Sequence, residues 1–146
     1  YDHNNDLHRD GGPAVELFYE DGTINCHKWY KHGKPHRDNG PAECWFCNSG
    51  RVLTQAWFID GKIHRADGPA SEFFYPSGRL KRRSWHMAGK CHRDDGPAVE
   101  YFFINGRRRN ATYYLDGVLI TKPEPRRLVS LHKLNIRNSL DRGVSL

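Results

Sequence analysis

Long aliphatic segments are largely missing from this chain. Leu, Ile and Val are scarce, whereas aromatic residues make up 12% of the 146 positions. A globular core built from aliphatic side chains is therefore not expected. Fourteen Gly and eight Pro residues favour many turns and leave little room for long helices. No apolar run approaches the ~20 residues that span a bilayer, and no signal peptide is visible, so we expect a protein that is neither transmembrane nor secreted.

Catalytic signatures are missing as well. No Ser/His/Asp or Cys/His set stands apart, and there is neither a phosphate-binding P-loop nor a dinucleotide fingerprint. The four cysteines form no readable disulfide framework. The one C-x-x-C pair, Cys44 and Cys47, falls in a strand-like run, where positions three apart face opposite sides. We expect reduced structural thiols and no metal, no cofactor, no small-molecule substrate, no catalytic residue and no enzymatic activity.

What the chain does contain is a repeat with a period of 28 residues. The segment His8-Arg9-Asp10-Gly11-Gly12-Pro13-Ala14 returns three times without insertion or deletion. We call residues 8–14, 36–42, 64–70 and 92–98 the HR loops. Their leading residues are His8, His36, His64 and His92, followed by Arg9, Arg37, Arg65 and Arg93.

Four further columns keep the same register. They are a Trp column (Trp29, Trp57, Trp85, Tyr113), a Phe column (Phe18, Phe46, Phe74, Phe102) and two Gly columns (Gly22, Gly50, Gly78, Gly106 and Gly33, Gly61, Gly89, Gly117). Tyr1 and Asn5 fit the Trp column and the second Gly column, and Asn is suited to a left-handed turn position. We therefore expect the chain to begin halfway through an earlier unit.

Each sequence unit predicts two antiparallel strands. Residues 41–47 read as a strand, Ser49-Gly50 as a two-residue hairpin turn, and residues 52–59 as a second strand that ends at Asp60-Gly61. Two strands in 28 residues leave no space for a crossover helix. With two-residue loops at both turns, Trp29 would pair with Ala14 on one side and His36 on the other. The same register pairs Trp57 with His64, and Trp85 with His92.

The predicted fold is all-β, a single-layer twisted antiparallel β-meander of four 28-residue β-hairpin repeats over residues 1–118. Residues 119–146 form a basic C-terminal tail or cap. Its apolar residues Leu128, Leu131 and Leu134 have helical spacing within residues 126–142, so the tail is a candidate helix. It would cover the last strand of the array or dock on another subunit.

The repeated polar residues have a structural interpretation. Equivalent histidines in adjacent units lie two strands apart, roughly 10 Å, which is too far to share one zinc ion. The Glu column (Glu16, Glu72, Glu100) is expected to accept hydrogen bonds from the HR-loop arginines or from backbone N–H groups. The aromatic columns are expected to form the core of the sheet, with a stacking platform for nucleic-acid bases as the alternative.

Basic residues that do not follow the repeat are the candidate partner-binding site. The net charge of +6 permits an anionic partner. The candidate patch consists of Arg79, Lys81, Arg82, Arg83, Arg107, Arg108, Arg109, Arg126 and Arg127. A solvated edge that prevents aggregation is the other interpretation of these charges.

The units resemble variant MORN repeats, and the match covers residues 1 to about 118. It is carried by the Gly, Phe and Trp columns and by Lys34, Lys62 and Lys90. The HR-x-D-GPA form looks like the variants abundant in giant DNA viruses of the Marseillevirus kind, and related variants occur in bacterial antitoxin-like proteins. The 28-residue period is longer than the usual MORN unit. The resemblance implies an elongated antiparallel sheet used for scaffolding or interaction, and some MORN proteins are linked to membranes.

Together these features predict a non-enzymatic structural protein. We expect a minor capsid or scaffold component of a large viral assembly, located in the virion or the host cytoplasm. Its partners would be other proteins of that assembly, including copies of itself. One alternative is a module that binds an anionic surface, either membrane phospholipid or nucleic acid, through the basic patch. The other alternative is a bacterial antitoxin-like repeat protein.

Overall fold

The computed structural model describes residues 1–121, and within them every regular element is a β-strand. The strands are β1 (Val15–Phe18), β2 (Ile24–Lys28), β3 (Tyr30–Lys31), β4 (Lys34–Pro35), β5 (Glu43–Phe46), β6 (Val52–Ala56), β7 (Phe58–Ile59), β8 (Lys62–Ile63), β9 (Ser71–Phe74), β10 (Leu80–Ser84), β11 (His86–Met87), β12 (Lys90–Cys91), β13 (Val99–Phe102), β14 (Arg108–Leu115) and β15 (Val118–Ile120). The helix expected over residues 126–142 lies outside the described residues.

Nine strands form one open antiparallel sheet in the order β1-β2-β5-β6-β9-β10-β13-β14-β15. The strands of this sheet keep their order along the chain, and the small hairpins are inserted between β2 and β5, between β6 and β9, and between β10 and β13. Three small two-stranded hairpins, β3-β4, β7-β8 and β11-β12, project from between the main hairpins. The prediction of an all-β antiparallel architecture rich in hairpins is confirmed.

The second strand of the units is interrupted where one continuous strand was predicted. Residues 52–59 form two strands, β6 and β7, separated by Trp57. The Trp57 N–H donates to the carbonyl of Ala70 at 2.9 Å, whereas its own carbonyl accepts from the His64 N–H at 3.0 Å. One Trp therefore connects the main sheet to a small hairpin. The predicted pairing of Trp with His is present, since His36 and His92 also donate to Trp29 and Trp85, at 3.1 and 3.0 Å.

The two turns of each unit differ, and one prediction about them is wrong. At the second turn both central residues have positive φ, as in His32-Gly33 (48° and 72°), which is the expected two-residue hairpin. At the first turn only Gly22 has positive φ, and the Gly22 N–H donates to the Tyr19 carbonyl. This is a three-residue loop closed by a left-handed Gly.

A bulge restores the register after the longer loop. Phe18 pairs with Ile24, but Leu17 pairs with Cys26, so Asn25 is the extra residue. Beyond that point Glu16 faces His27, which is the pairing that a two-residue turn would have given. The bulge recurs between Trp45 and Phe46, and equivalent shifts occur in the two later hairpins. The predicted register therefore holds beyond the bulge although the predicted loop length does not.

Side chains at the left-handed positions of the second turn vary, and one of them is poorly suited. Asn5 has φ of 62°, as expected from its place in the second Gly column. Ala88 has φ of 49°, where its Cβ crowds the backbone and no side-chain hydrogen bond compensates. We expect Ala88→Asn to raise the free energy of unfolding by about 1 kcal/mol.

Urea denaturation of the two proteins measures this difference. The control is Asp60→Asn, since Asp60 has φ of 48° and Asp already tolerates that conformation better than Ala. The control should change stability little. A loss of stability in Ala88→Asn would show that the turn strain is not located at this residue.

The most deeply buried residues are small. Cys26, Ala42, Ala70, Ala98 and Ser84 have no exposed surface. The Trp column is half-buried, and Phe18 is 57% exposed. In a single-layer sheet only the positions beneath a neighbouring loop can be enclosed completely, and the space there admits only small side chains. The expectation of a core made of aromatic columns therefore needs correction, because the completely buried residues are Ala, Cys and Ser, whereas the Trp column is only half-buried.

Candidate functional site

The arginines of the HR loops stack on the Trp column. The guanidinium carbon of Arg37 lies 4.0 Å from the ring centre of Trp29, and that of Arg65 lies 4.1 Å from Trp57. Arg93 makes the same contact with Trp85 at 3.9 Å. A cation held over an indole face is attracted by the ring quadrupole. These arginines therefore hold the HR loops against the sheet and are not free to bind a partner.

The Gly before each Pro explains the rest of the HR-loop sequence. A Cβ on Gly68 would meet the Arg65 guanidinium carbon at 3.0 Å, so the arginine lies between Trp57 and a residue without a side chain. Arg65 Nη1 donates to the Pro69 carbonyl at 3.3 Å, and its Nε binds Asp67 at 2.9 Å. Stacking, a backbone acceptor and a carboxylate thus fix the guanidinium in the third HR loop, and Arg93 makes all three kinds of contact in the fourth.

The histidines of the HR loops join neighbouring sequence units. Nδ1 of His36 accepts the backbone N–H of Asp60 at 3.1 Å, and Nδ1 of His64 accepts that of Ala88 at 3.0 Å. His92 does the same for Asp116 at 3.1 Å. Asp60 and Ala88 are the left-handed residues of the small hairpins β7-β8 and β11-β12, and Asp116 is the left-handed residue of the turn between β14 and β15. Nε2 then carries the ring proton and points towards a carboxylate, as in His36 and Asp38 at 3.0 Å.

The other ends of the strands, beside the first turn of each unit, carry a second set of contacts between units. The Tyr19 hydroxyl donates to the Phe46 carbonyl at 2.8 Å, and the Tyr75 hydroxyl donates to the Phe102 carbonyl at 2.9 Å. Arg79 Nη1 reaches the Ile104 carbonyl at 3.0 Å. Polar side chains at both ends of the strands therefore form hydrogen bonds with the backbone of adjacent hairpins.

One face of the sheet, which we call the first face, carries a row of charged and polar residues. Pairing places Glu16, His27, Cys44, Gln55, Glu72, Arg83, Glu100 and Ala111 across from one another. Its most buried member is Glu100, whose side chain is 5% exposed. Arg83 Nε binds it at 2.7 Å and Arg108 Nη1 at 3.1 Å. The Glu column thus accepts hydrogen bonds, but mainly from strand residues, because Arg93 is 4.0 Å away from Glu100.

The other face, the second face, carries a different row. Pairing aligns Leu17, Cys26, Trp45, Thr54, Phe73, Arg82, Tyr101 and Asn110. The Arg82 guanidinium carbon lies 5.2 Å from the ring centre of Phe73 and 5.7 Å from that of Tyr101. Aromatic residues and an arginine therefore alternate along three adjacent strands. Tyr101 is 39% exposed and Leu17 43% exposed.

A shallow depression on the second face contains polar atoms without partners. Trp45, Phe73, Arg82 and His86 are among the residues that line it. Arg82 Nε and His86 Nδ1 are buried and form no hydrogen bond within the described residues. Burial, followed by the charge of Arg82, lowers the pKa of His86 below its usual value, so the ring is neutral at pH 7. Buried polar groups are normally satisfied, and these two are exceptions among the described residues.

The predicted basic patch is divided between the two faces. Arg83 and Arg108 meet at Glu100 on the first face, whereas Arg82 lies on the second. Lys81 and Arg109 lie 5.7 Å from the rings of Tyr75 and Phe103. Arg79 donates a hydrogen bond to the Ile104 carbonyl. Arg107 is exposed beside the first turn of the fourth unit. Arg126 and Arg127 lie outside the described residues. Sequence proximity concealed this division, because alternate residues of a strand face opposite ways.

The four cysteines are free thiols. Burial raises the pKa of Cys44 to about 11, which suppresses its thiolate at neutral pH. Cys47 Sγ lies 3.1 Å from the Ser49 hydroxyl, and this hydrogen bond lowers the pKa of Cys47. The two thiols of the C-x-x-C pair therefore sit in different surroundings, and they fit the structural interpretation.

Alternating aromatic and basic side chains on the second face were missed by sequence reasoning. Trp45, Phe73 and Tyr101 do form a sequence column, with Leu17 at the first position. This column is harder to recognise than the Trp and Phe columns, because a different residue stands at each of its four positions.

Comparison with known proteins finds no matching family model, no similar curated protein and no similar solved structure. None of the described segments is a helix long and apolar enough to cross a bilayer.

Proposed function

We propose that this protein is a non-enzymatic interaction module, a MORN-like β-hairpin repeat solenoid in which the 28-residue sequence period is the structural unit. It acts as a minor capsid or scaffold component of a large assembly through contacts with other proteins. The observation that carries this proposal is the aromatic and arginine row on the second face of an open sheet.

The use of HR-loop side chains for contacts within the protein supports a scaffold role. HR-loop arginines are stacked on Trp rings, and HR-loop histidines hold the next small hairpin. The repeated side chains of the HR loops are thus committed to internal contacts. In an array where each unit touches its neighbours, the surfaces left over are long and continuous. Such surfaces suit the binding of extended or multiple partners.

The composition of the second face supports a protein partner. Trp, Tyr, Phe and Arg are enriched at the centres of protein interfaces, where they fill pockets and exclude water. Phe73, Arg82 and Tyr101 form such a group, and Arg82 Nε still lacks an acceptor among the described residues. A uniform anionic surface would instead favour a face with several unpaired cations, and two of the arginines expected there are bound to Glu100.

The viral setting of the proposal is supported by the sequence resemblance alone. The HR-x-D-GPA form of the unit is the one that looks like giant-virus variants. A structural protein of that kind would work inside a particle or in the host cytoplasm and would contact coat or scaffold proteins.

Photo-cross-linking tests the proposal directly. A photo-reactive phenylalanine analogue placed at Tyr101 reports the second face, and the same analogue at Tyr113 reports the Trp column on the first face. In the native particle or cell extract, we expect position 101 to give reproducible links to a small set of structural proteins. Position 113 should give far fewer.

Two results would contradict it. One is equal labelling from positions 101 and 113, which would mean that the second face is not a docking surface. The other is the absence of protein links together with retention on anionic vesicles or nucleic acid that weakens steeply with salt. That result would favour the anionic-surface module.

A further inference from the structure

Three potential metal ligands converge near the start of the chain. Asp2, His8 and His32 each offer one ligand atom, and these atoms lie within 4.8 Å of one another. His32 Nδ1 is 2.7 Å from Asp2 Oδ2. The rings of His8 and His32 have centres 4.6 Å apart and are tilted by 36°. These residues come from two successive sequence units, so the cluster bridges them.

Two of the three residues are exceptions to the repeat. The column that contains His32 continues as Asp60, Ala88 and Asp116, and the column that contains Asp2 continues as Tyr30, Phe58, His86 and Tyr114. The contact between units needs only Nδ1 of His8 and the backbone N–H of residue 32. The side chains of Asp2 and His32 are therefore not dictated by the scaffold, yet they meet at the one HR-loop histidine that lies beside them.

We propose that Asp2, His8 and His32 bind a divalent transition metal of the zinc class. Two imidazole nitrogens and one carboxylate oxygen are the donors that Zn²⁺ takes from proteins. Three protein ligands leave the fourth tetrahedral position for water or for a residue of another molecule.

Neighbouring groups already orient two of the ligands. The Asp2 side chain is 5% exposed, and its Oδ1 accepts the backbone N–H groups of Asn4 and Asp6, both at 3.0 Å. Oδ2 is thereby left facing His32. His8 Nε2 lies 3.2 Å from an Asp10 carboxylate oxygen, which keeps the proton on Nε2 and the lone pair on Nδ1. A carboxylate behind a ligating imidazole is the usual outer-shell arrangement of zinc sites.

Metal binding at this position would replace two hydrogen bonds. His8 Nδ1 accepts the His32 backbone N–H at 3.2 Å, and coordination would take that lone pair. The 2.7 Å contact between His32 Nδ1 and Asp2 Oδ2 would also be replaced, because both atoms would bind the metal. Coordination of one metal ion by three side chains is far stronger than these two contacts. Because the cluster joins two units, bound metal should also stabilise the first hairpins.

Zinc titration of the full chain after removal of metal with a chelator tests the site. We expect about one Zn²⁺ per chain by calorimetry and a higher thermal unfolding midpoint with Zn²⁺. His32→Asn removes one imidazole without supplying a carboxylate ligand, and Asn is suited to the positive φ of residue 32, so the turn is preserved. We expect it and Asp2→Asn to weaken binding about tenfold or more. Asp116→Asn is the matched control in the same column, away from the cluster, and should bind Zn²⁺ like the wild type.

A measurement on the unmodified chain makes the test independent of variant folding. The imidazole NMR signals of His8 and His32 should shift on addition of Zn²⁺, while the signals of His36, His64 and His92 stay in place. Undiminished binding by His32→Asn, shifts spread over all histidines, or no binding at all would overturn the proposal. The result does not depend on the protein-docking function, because the cluster lies apart from the aromatic row.

Discussion

Glu100→Gln should destabilise the protein by about 2–3 kcal/mol, the largest effect of any conservative substitution considered. The side chain is 5% exposed and binds Arg83 at 2.7 Å and Arg108 at 3.1 Å. Removing one partner of a fully buried ion pair costs about 3–5 kcal/mol. The expected loss is smaller because Arg83 and Arg108 are 36% and 55% exposed and regain water.

Glu16→Gln is the control from the same sequence column. Its side chain is 40% exposed, and its nearest basic atoms, in Arg9 and His27, are 3.6 and 3.7 Å away. A change of about 0–1 kcal/mol is typical of such exposed pairs. Urea denaturation followed by Trp fluorescence measures both variants. Equal losses at the two positions would mean that burial of Glu100 does not decide its contribution.

Arg65→Ala should have the second largest effect, a loss of about 2 kcal/mol. The guanidinium stacks 4.1 Å from Trp57, donates to the Pro69 carbonyl and binds Asp67. The stacking and the hydrogen bonds are each worth about 0.5–2 kcal/mol. Arg65→Lys should lose most of the same free energy although it keeps the charge, because an ammonium group cannot stack as a plane or fork between two acceptors.

The first HR loop provides the comparison. Arg9 also donates to a Pro carbonyl, at 3.0 Å from Pro13, but it is 55% exposed, and the aromatic residue of its unit is Tyr1, itself 79% exposed. Arg9→Ala should therefore cost clearly less than Arg65→Ala. If the two substitutions cost the same, the Trp57 contact contributes nothing, and the stacking explanation of the HR loop is wrong.

The strand pairing could be predicted from the sequence because several columns specify it together. Gly at the turns, Pro at the start of strands and alternating side chains all agree on one register. The predicted register, stated for Trp29 and Ala14, also places Glu16 opposite His27. That pairing is present even though the loop has three residues, since the bulge at Asn25 compensates for the extra residue. Turn residues alone cannot reveal such compensation, because the same Asp-Gly pair serves both loop lengths.

The contacts that the residues of the repeated columns make could be predicted only in part. The Arg–Trp stacking explains why Gly68 and Trp57 recur, but the two residues are eleven positions apart and belong to different elements of the unit. The division of the basic patch follows from strand alternation, which puts Arg82 and Arg83 on opposite faces. Unpartnered atoms such as Arg82 Nε appear only once the surrounding strands are in place.

The most direct test of the account is co-sedimentation of the protein with its native assembly. Tyr101→Ser removes a half-exposed ring from the second face, and Arg107→Ser removes an exposed charge from the basic patch. We expect Tyr101→Ser to weaken association about tenfold or more, as loss of a central aromatic contact does, while Arg107→Ser leaves it nearly unchanged. The opposite order, with association that falls steeply as salt is raised, would contradict the account and assign the interaction to an anionic surface.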